Sequence, residues 1–131
     1  VLPPPSLGRS GADLEATVAD SNRAFVDRLL SAFRLSWWRR TDRGTPLILS
    51  QLRLNDISVL HLPGEMFIEY QLRARAICPG RAVVVAAYGD DGLWYVPTRE
   101  EYPAGGYEVS VAFCREEADA IFTSAIKRLL V

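Results

Sequence analysis

The spacing of apolar residues changes character several times along the chain, and each change predicts an element. Over residues 11–35, Leu14, Val18, Phe25, Val26, Leu29, Leu30 and Phe33 recur at three- and four-residue steps. That is the period of an amphipathic helix, and its apolar side is expected to be buried. Ser10 stands where an N-cap belongs, with Asp13 in the capping-box position. The polar break Asp20-Ser21-Asn22 is the point at which this stretch would split into two helices. From Thr45 to Leu62 the pattern becomes that of a β-hairpin. Leu47, Ile48, Leu49, Leu52 and Leu54 form its first arm, and Ile57, Val59, Leu60 and Leu62 its second. Asn55-Asp56 supplies the tight turn, because both residues tolerate left-handed dihedrals. After the Pro63-Gly64 break a helix is expected from Gly64 to about Ile77, burying Phe67, Ile68, Leu72 and Ala76. Glu69, Arg73 and Arg75 fall on its polar side, and Pro79-Gly80 ends it.

Ala82-Val83-Val84-Val85-Ala86-Ala87 is continuously apolar, the signature of a strand buried on both faces of a parallel sheet. Strand 57–62, helix 64–77 and strand 82–88 therefore form a β-α-β unit, with a right-handed crossover expected. Residues 114–130 close the chain as a helix with Ala118, Ile121, Phe122, Ala125, Ile126, Leu129 and Leu130 on its apolar side. Lys127 and Arg128 suit its C-terminal end. The fold class is α/β: a small mixed sheet with a hairpin leading into a β-α-β unit, flanked by N- and C-terminal helices. Residues 1–9, with Pro3-Pro4-Pro5, read as an extended Pro-rich arm, and 10–131 as one α/β domain or part of a larger one.

Composition narrows the classes of function. The 131 residues are 49% hydrophobic and 24% charged, with a net charge of −1, so nothing draws the chain as a whole to nucleic acid. No apolar run approaches the length of a membrane span. The start has neither the basic nor the apolar region of a signal peptide and lacks an initiator Met, so the chain is expected to be processed, trimmed or excised from something longer. Trp37-Trp38-Arg39-Arg40, with Arg43, is a basic-aromatic cluster. Its two readings are stacking against a nucleic acid, or a helix end where the tryptophans pack and the arginines cap. The balanced charge favours the second. Cys78 and Cys114 stand far apart at helix ends, and with one histidine they make no self-contained zinc motif. A disulfide between them and two simply buried thiols both fit the spacing.

Candidate chemistry gathers where the β-α-β unit puts it. Glu65 follows the carboxyl end of the first parallel strand and is expected in the first turn of the helix, where a carboxylate suits the free N–H groups. The segment Tyr88–Glu108 follows the carboxyl end of the second strand. It lacks periodicity and is dense in Gly, Asp and aromatics, including Gly89-Asp90-Asp91-Gly92, Trp94, Tyr95, Tyr102 and Tyr107. Both lie at the sheet edge where ligands bind in such folds, which predicts a site combining Glu65 with tyrosines of that segment. Packing and helix capping account for the same residues without a site. Thr98 and Glu101 are placed to cap a short helix. His61 alternates with Leu60 and Leu62 and so faces away from them, a structural position rather than a ligand.

Three motifs in series carry a family resemblance: Leu62-Pro63-Gly64-Glu65, then Tyr95-Val96-Pro97-Thr98-Arg99-Glu100-Glu101-Tyr102, then Tyr107-Glu108. Together with Ala87-Tyr88-Gly89 they resemble the later part of the neutral/alkaline ceramidase catalytic domain. That family has a Pro-Gly-Glu motif, a Tyr-(Val/Ile)-Thr-Thr-x-Glu-Glu-Tyr motif and a Tyr-Glu pair in the same order. The resemblance implies part of a zinc-dependent amidohydrolase acting on the N-acyl bond of ceramide-like lipids or another amide. It implies Glu65 as a zinc ligand, Tyr95 as a second, weaker ligand, and Tyr107 as the donor to the substrate carbonyl or oxyanion. It implies a secreted or periplasmic parent. Nothing in this chain matches the family's two zinc-binding histidines or its Gly-Ser substrate segment, and Pro97 stands where the family has a threonine. This chain alone is therefore expected to lack activity and stoichiometric zinc, and to self-associate or to pair with a missing N-terminal part. The alternative is a non-catalytic α/β binding or assembly domain that keeps the motifs for their fold.

Overall fold

The computed structural model describes residues 1, 3, 5, 8–89 and 93–131. The parts of the Pro-rich arm and of the Gly89–Gly92 turn carried by Leu2, Pro4, Ser6, Leu7, Asp90, Asp91 and Gly92 lie outside the described residues. The first helix, α1 (Gly11–Ala19), opens with the expected capping box. The Asp13 N–H donates to Ser10 Oγ at 3.2 Å and the Ser10 N–H to Asp13 Oδ2 at 3.0 Å. The chain breaks at Asp20, whose carboxylate accepts from the Asn22 N–H at 3.0 Å, the Asx turn that competes with helix continuation. A second helix, α2 (Phe25–Asp42), then packs along the first.

The apolar side of α2 departs from expectation. Ser31, Leu35 and Trp37 are buried, while Phe25 is 72% and Val26 60% exposed, and Leu29 and Phe33 are exposed as well. Among the described residues α2 packs chiefly on α1, a helix half its length. The Trp37-Arg40 cluster is structural: Trp37 is in the core, Arg39 pairs with Glu15 at 2.8 Å, and Arg40 donates to the Thr45 and Pro46 carbonyls.

Strands β1 (Ser50–Leu54) and β2 (Ile57–Pro63) form the hairpin, joined at Asn55-Asp56, with Asn55 left-handed at φ 51°. Its first arm is shorter than the apolar pattern. Leu47, Ile48 and Leu49 precede the strand, and the Leu47 backbone is paired instead with Val1 in the N-terminal arm. β2 pairs in parallel with a later strand, β4 (Ala82–Gly89), giving the order β1-β2-β4. The β-α-β unit is therefore present.

β4 is not buried on both faces. It is an edge strand, with Val83 buried and Val84 46% exposed. The register places Leu52, Leu54, Ile57, Val59 and Val84 together on one bare face, and Ser58, Leu60, Leu62 and Val83 on the covered one. Part of the β4 edge is occupied by a side chain. Gln71 donates to the Val83 carbonyl at 2.9 Å and accepts from the Val85 N–H at 2.6 Å, standing in for a neighbouring strand.

The crossover helix α3 (Ile68–Ile77) starts later than predicted and turns the other way. Tyr70 and Ala74 are buried, whereas Ile68 is 63% exposed and Leu72 and Ala76 face outward. What orients it is Tyr70, whose ring meets Phe122 edge-on at 6.3 Å, and Arg73, which pairs with Asp119. The closing helix α6 (Glu117–Leu130) buries Ala118, Phe122, Ala125, Ile126 and Leu130 as its period predicts. The core lies between it, α3 and the covered sheet face, and includes Leu60, Leu62, Tyr70, Val96, Phe113 and Phe122. Each such apolar side chain contributes about 1.5–3 kcal/mol on burial. Cys78 and Cys114 are free thiols, and burial pushes that of Cys114 up to about 12. No helix among the described residues is long and apolar enough to cross a membrane.

Candidate functional site

The end of β2 carries the chain out of one sheet and into another. The β2–β4 register slips between His61 and Pro63, so that Pro63 stands opposite Gly89. Gly64 then turns the backbone at φ 79°, and a Cβ there would lie 2.3 Å from the Leu93 carbonyl oxygen. Only glycine meets both requirements, a left-handed dihedral and a backbone pressed against backbone. The Gly64 carbonyl accepts from the Tyr88 N–H at 2.8 Å, and the Glu65 N–H donates to the Trp94 carbonyl at 3.0 Å.

These bonds start a second, two-stranded parallel sheet of β3 (Glu65–Met66) and β5 (Tyr95–Val96), with Glu65 opposite Tyr95. Glu65 is thus a strand residue. Helix α3 begins only after Phe67, and the expected support of a helix N-terminus does not reach this carboxylate. The segment read as irregular contains β5 and two short helices, α4 (Glu101–Ala104) and α5 (Tyr107–Val111). Thr98 is buried and makes no capping bond to α4, whose N-cap is Glu100.

Tyr95 and Tyr107, twelve positions apart in sequence, meet edge to face with ring centroids 5.9 Å apart. All three residues expected at a site, Glu65, Tyr95 and Tyr107, line one open cleft of about 460 Å³, together with Gly64, Tyr88, Gly89, Leu93 and Trp94. The further tyrosine of the cleft is Tyr88, which opens the segment whose tyrosines were expected beside Glu65. It adopts φ 59°, a conformation costing about 1–2 kcal/mol in a side-chain-bearing residue, and is held there by the bond to Gly64. Its place directly after the parallel strand was its signal. Both phenols near Glu65 titrate above the ordinary tyrosine value. For Tyr88 the first cause is hydrogen bonding to the Glu65 carboxylate, then burial and the carboxylate charge. For Tyr95 burial comes first, then the charge of Glu65 and the neighbouring Tyr107. Near neutral pH these phenols are therefore hydrogen-bond donors.

A network unread from the sequence fixes the segment that carries Tyr95. Asp119, buried on α6, accepts from the Arg73 guanidinium, from the Arg99 N–H at 3.2 Å and from Thr123 Oγ1 at 3.3 Å. Arg73 also reaches Glu100 at 3.3 Å. The Tyr70 hydroxyl donates to the Pro97 carbonyl at 3.2 Å and that of Tyr102 to the Cys114 carbonyl at 2.8 Å. On the cleft's other flank Trp94 stacks on Phe113 at 5.2 Å and meets Phe33 at 5.5 Å.

The donors this chain brings to the cleft are one carboxylate and phenols, all oxygen. Zinc sites are built from nitrogen and sulfur ligands with carboxylate as a minority partner. Among the described residues no group of three or more His, Cys, Asp and Glu could hold a metal ion. His61 does not approach as a ligand: it lies over Gly89, where a Cβ would come within 2.2 Å of its Nε2. These residues fit a zinc ion as one side of a site and not as a whole one.

No family model matches the sequence, and no curated protein does. Two solved structures share the fold. A ceramidase complexed with C2 superposes with a TM-score of 0.55 at 24% identity, covering 62% of this chain and 14% of that one. The neutral ceramidase from Pseudomonas aeruginosa superposes with a TM-score of 0.54 at 25% identity, with the same coverage of 62% and 14%. The fold is ceramidase-like, and this chain spans 14% of the length of the ceramidases it matches.

Proposed function

We propose, from a fold shared with part of the neutral ceramidases, that this chain supplies one side of the active site of a ceramidase-like zinc-dependent amidohydrolase. The observation that supports this most is the convergence of Glu65, Tyr95 and Tyr107 on one cleft, brought there by the β3–β5 pairing. Glu65 and Tyr95 would hold the ion jointly with two histidines from elsewhere in the parent protein. When bound, the ion supplies Lewis acidity towards an amide carbonyl and a water of lowered pKa. Tyr107, exposed at the lip of the cleft, is placed to donate its phenol proton in a hydrogen bond to the carbonyl oxygen as charge develops there. The substrate class is an amide, with a ceramide-like N-acyl lipid as the first to test. The same reading makes this chain inactive by itself.

The bare face of the three-stranded sheet supports the partnership. Contiguous exposed apolar residues mark a surface that another element covers, and here Leu52, Leu54, Ile57 and Val84 are uncovered. The remainder of a ceramidase-like domain is the cover proposed for them. The non-catalytic alternative shares this face and differs at Glu65.

The test uses the parent protein. Zinc content and turnover of a short-chain N-acyl sphingosine are measured for wild type, Glu65→Gln and Tyr107→Phe. Glu65→Gln is expected to lose both metal and turnover. Tyr107→Phe is expected to keep the metal and lose on the order of 10²–10³ in kcat, as for loss of one oxyanion donor. Unchanged zinc and rate in Glu65→Gln would remove Glu65 from the metal site.

A further inference from the structure

We infer that the Glu65 cleft of this chain, without any metal, is a binding site for an organic ammonium group. Among the described residues its lining has one carboxylate, Glu65, with three tyrosines and a tryptophan, and no lysine, arginine or histidine. The faces of aromatic rings carry negative quadrupole density and attract cations, most strongly those too large and too weakly hydrated to prefer water. Tyr95 and Tyr107 stand at 76° to one another, which gives the cleft two adjoining aromatic walls. Glu65, in register with Tyr95, supplies a full negative charge on the same strand pair. The described ion pairs involve other residues: Arg73 pairs with Asp119 and Glu100, and Arg39 with Glu15. No described salt bridge neutralises Glu65. A carboxylate beside aromatic walls, in an open cleft of about 460 Å³, is the arrangement that selects a quaternary or protonated amine over a neutral molecule of the same shape.

This inference does not depend on the zinc reading, although the two ligands share Glu65 and are expected to compete. The walls are set by the backbone rather than by a bound ion. Gly64 and the Glu65–Trp94 bond place the carboxylate, and the β3–β5 register places Tyr95. Tyr107 is largely exposed and makes no bond on which the core depends, so its ring can be removed without loss of the fold.

The experiment is a titration of the metal-stripped 131-residue chain with choline, followed by NMR and calorimetry, against choline's neutral carbon isostere. Saturable shifts confined to Glu65, Tyr88, Tyr95 and Tyr107, with choline binding roughly tenfold tighter than the isostere, are expected for a carboxylate with aromatic walls. Glu65→Gln should remove that preference. Tyr107→Leu should weaken choline about fivefold, while its circular dichroism and urea midpoint confirm an intact fold. Equal affinity for choline and the isostere, or an unchanged affinity in Tyr107→Leu, would overturn the assignment. The two readings are separated in the parent protein, where the rest of the zinc site is proposed to be present: zinc that displaces choline there supports a shared Glu65, whereas choline binding that zinc never disturbs counts against Glu65 as a metal ligand and leaves the ammonium site standing.

Discussion

At the scale of single residues, the cleft rests on Gly64. Its φ of 79° and the 2.3 Å approach a Cβ would make to the Leu93 carbonyl are independent obstacles to any side chain. Gly64→Ala is expected to lower unfolding free energy by about 2–4 kcal/mol, since the left-handed dihedral and a backbone clash act together. Urea denaturation measures it. Gly80→Ala is the control: nothing lies within 4 Å of a Cβ there and the dihedral is ordinary, so a change within about 0.5 kcal/mol is expected. An equal loss in both variants would refute the argument from close approach. The Pro-Gly-Glu motif itself was legible as a turn beyond a strand. That Glu65 leaves the turn as a strand residue was not, because its partner Tyr95 is thirty positions away and only two residues pair.

At the scale of elements, the placement of α3 and of the segment after β5 depends on Asp119. It is buried, and it joins α6 to Arg73 on α3 and to the Arg99 N–H. Asp119→Ala leaves both donors without their acceptor. Because Arg73 remains a third exposed and water can screen it, the expected loss is about 2–3 kcal/mol rather than the full cost of breaking a buried pair. Asp119→Asn keeps an acceptor and should recover part of the loss. Limited proteolysis should show earlier cleavage near 97–101 in the alanine variant, and no change there would mean that the segment is held by Tyr70 and Tyr102 alone. The same network explains the reversed α3. Ile68, Leu72 and Ala76 make an apolar stripe as good as that of Tyr70 and Ala74, so local pattern could not choose between them. The choice follows from where Asp119 and Phe122 stand. By contrast α6 has one dominant apolar side, and the hairpin has one place where two residues tolerate a tight turn, and both of these features follow the sequence.

At the scale of the whole molecule, two buried acids, Tyr70 and Cys114, and the half-buried Tyr102 make stability fall at alkaline pH. Burial raises the pKa of Tyr70, Tyr102 and Cys114 above their ordinary values, the last to about 12. A raised pKa in the folded state means that unfolding releases protons once pH passes the unfolded value. The stabilisation is complete below that value and is lost as pH rises towards the folded one. Unfolding free energy should hold steady through neutral pH and fall above about pH 9, at about 1.4 kcal/mol per pH unit for each group engaged. Cys114→Ala should lower the plateau through its cavity yet flatten the first part of the fall, between pH 9 and 10. A slope unaltered by that substitution would show that Cys114 contributes none of it. The sequence by itself determined what depends on neighbours in the chain: the Ser10–Asp13 capping box, the break at Asp20, the Asn55-Asp56 turn, the parallel β2–β4 pair with its crossover helix, the buried side of α6, and the edge at which Glu65 and the tyrosines gather. Only the tertiary structure decided which side of α3 faces in, that β4 is an edge strand with a bare apolar face, that α2 leaves Phe25 and Val26 exposed, and that Glu65 is a strand residue paired with Tyr95. The physical reason is the range of the interactions. Caps, turns and periodicity are set within a few residues, whereas burial depends on which distant element arrives to cover a surface, and an apolar run reads the same whether or not its cover is present.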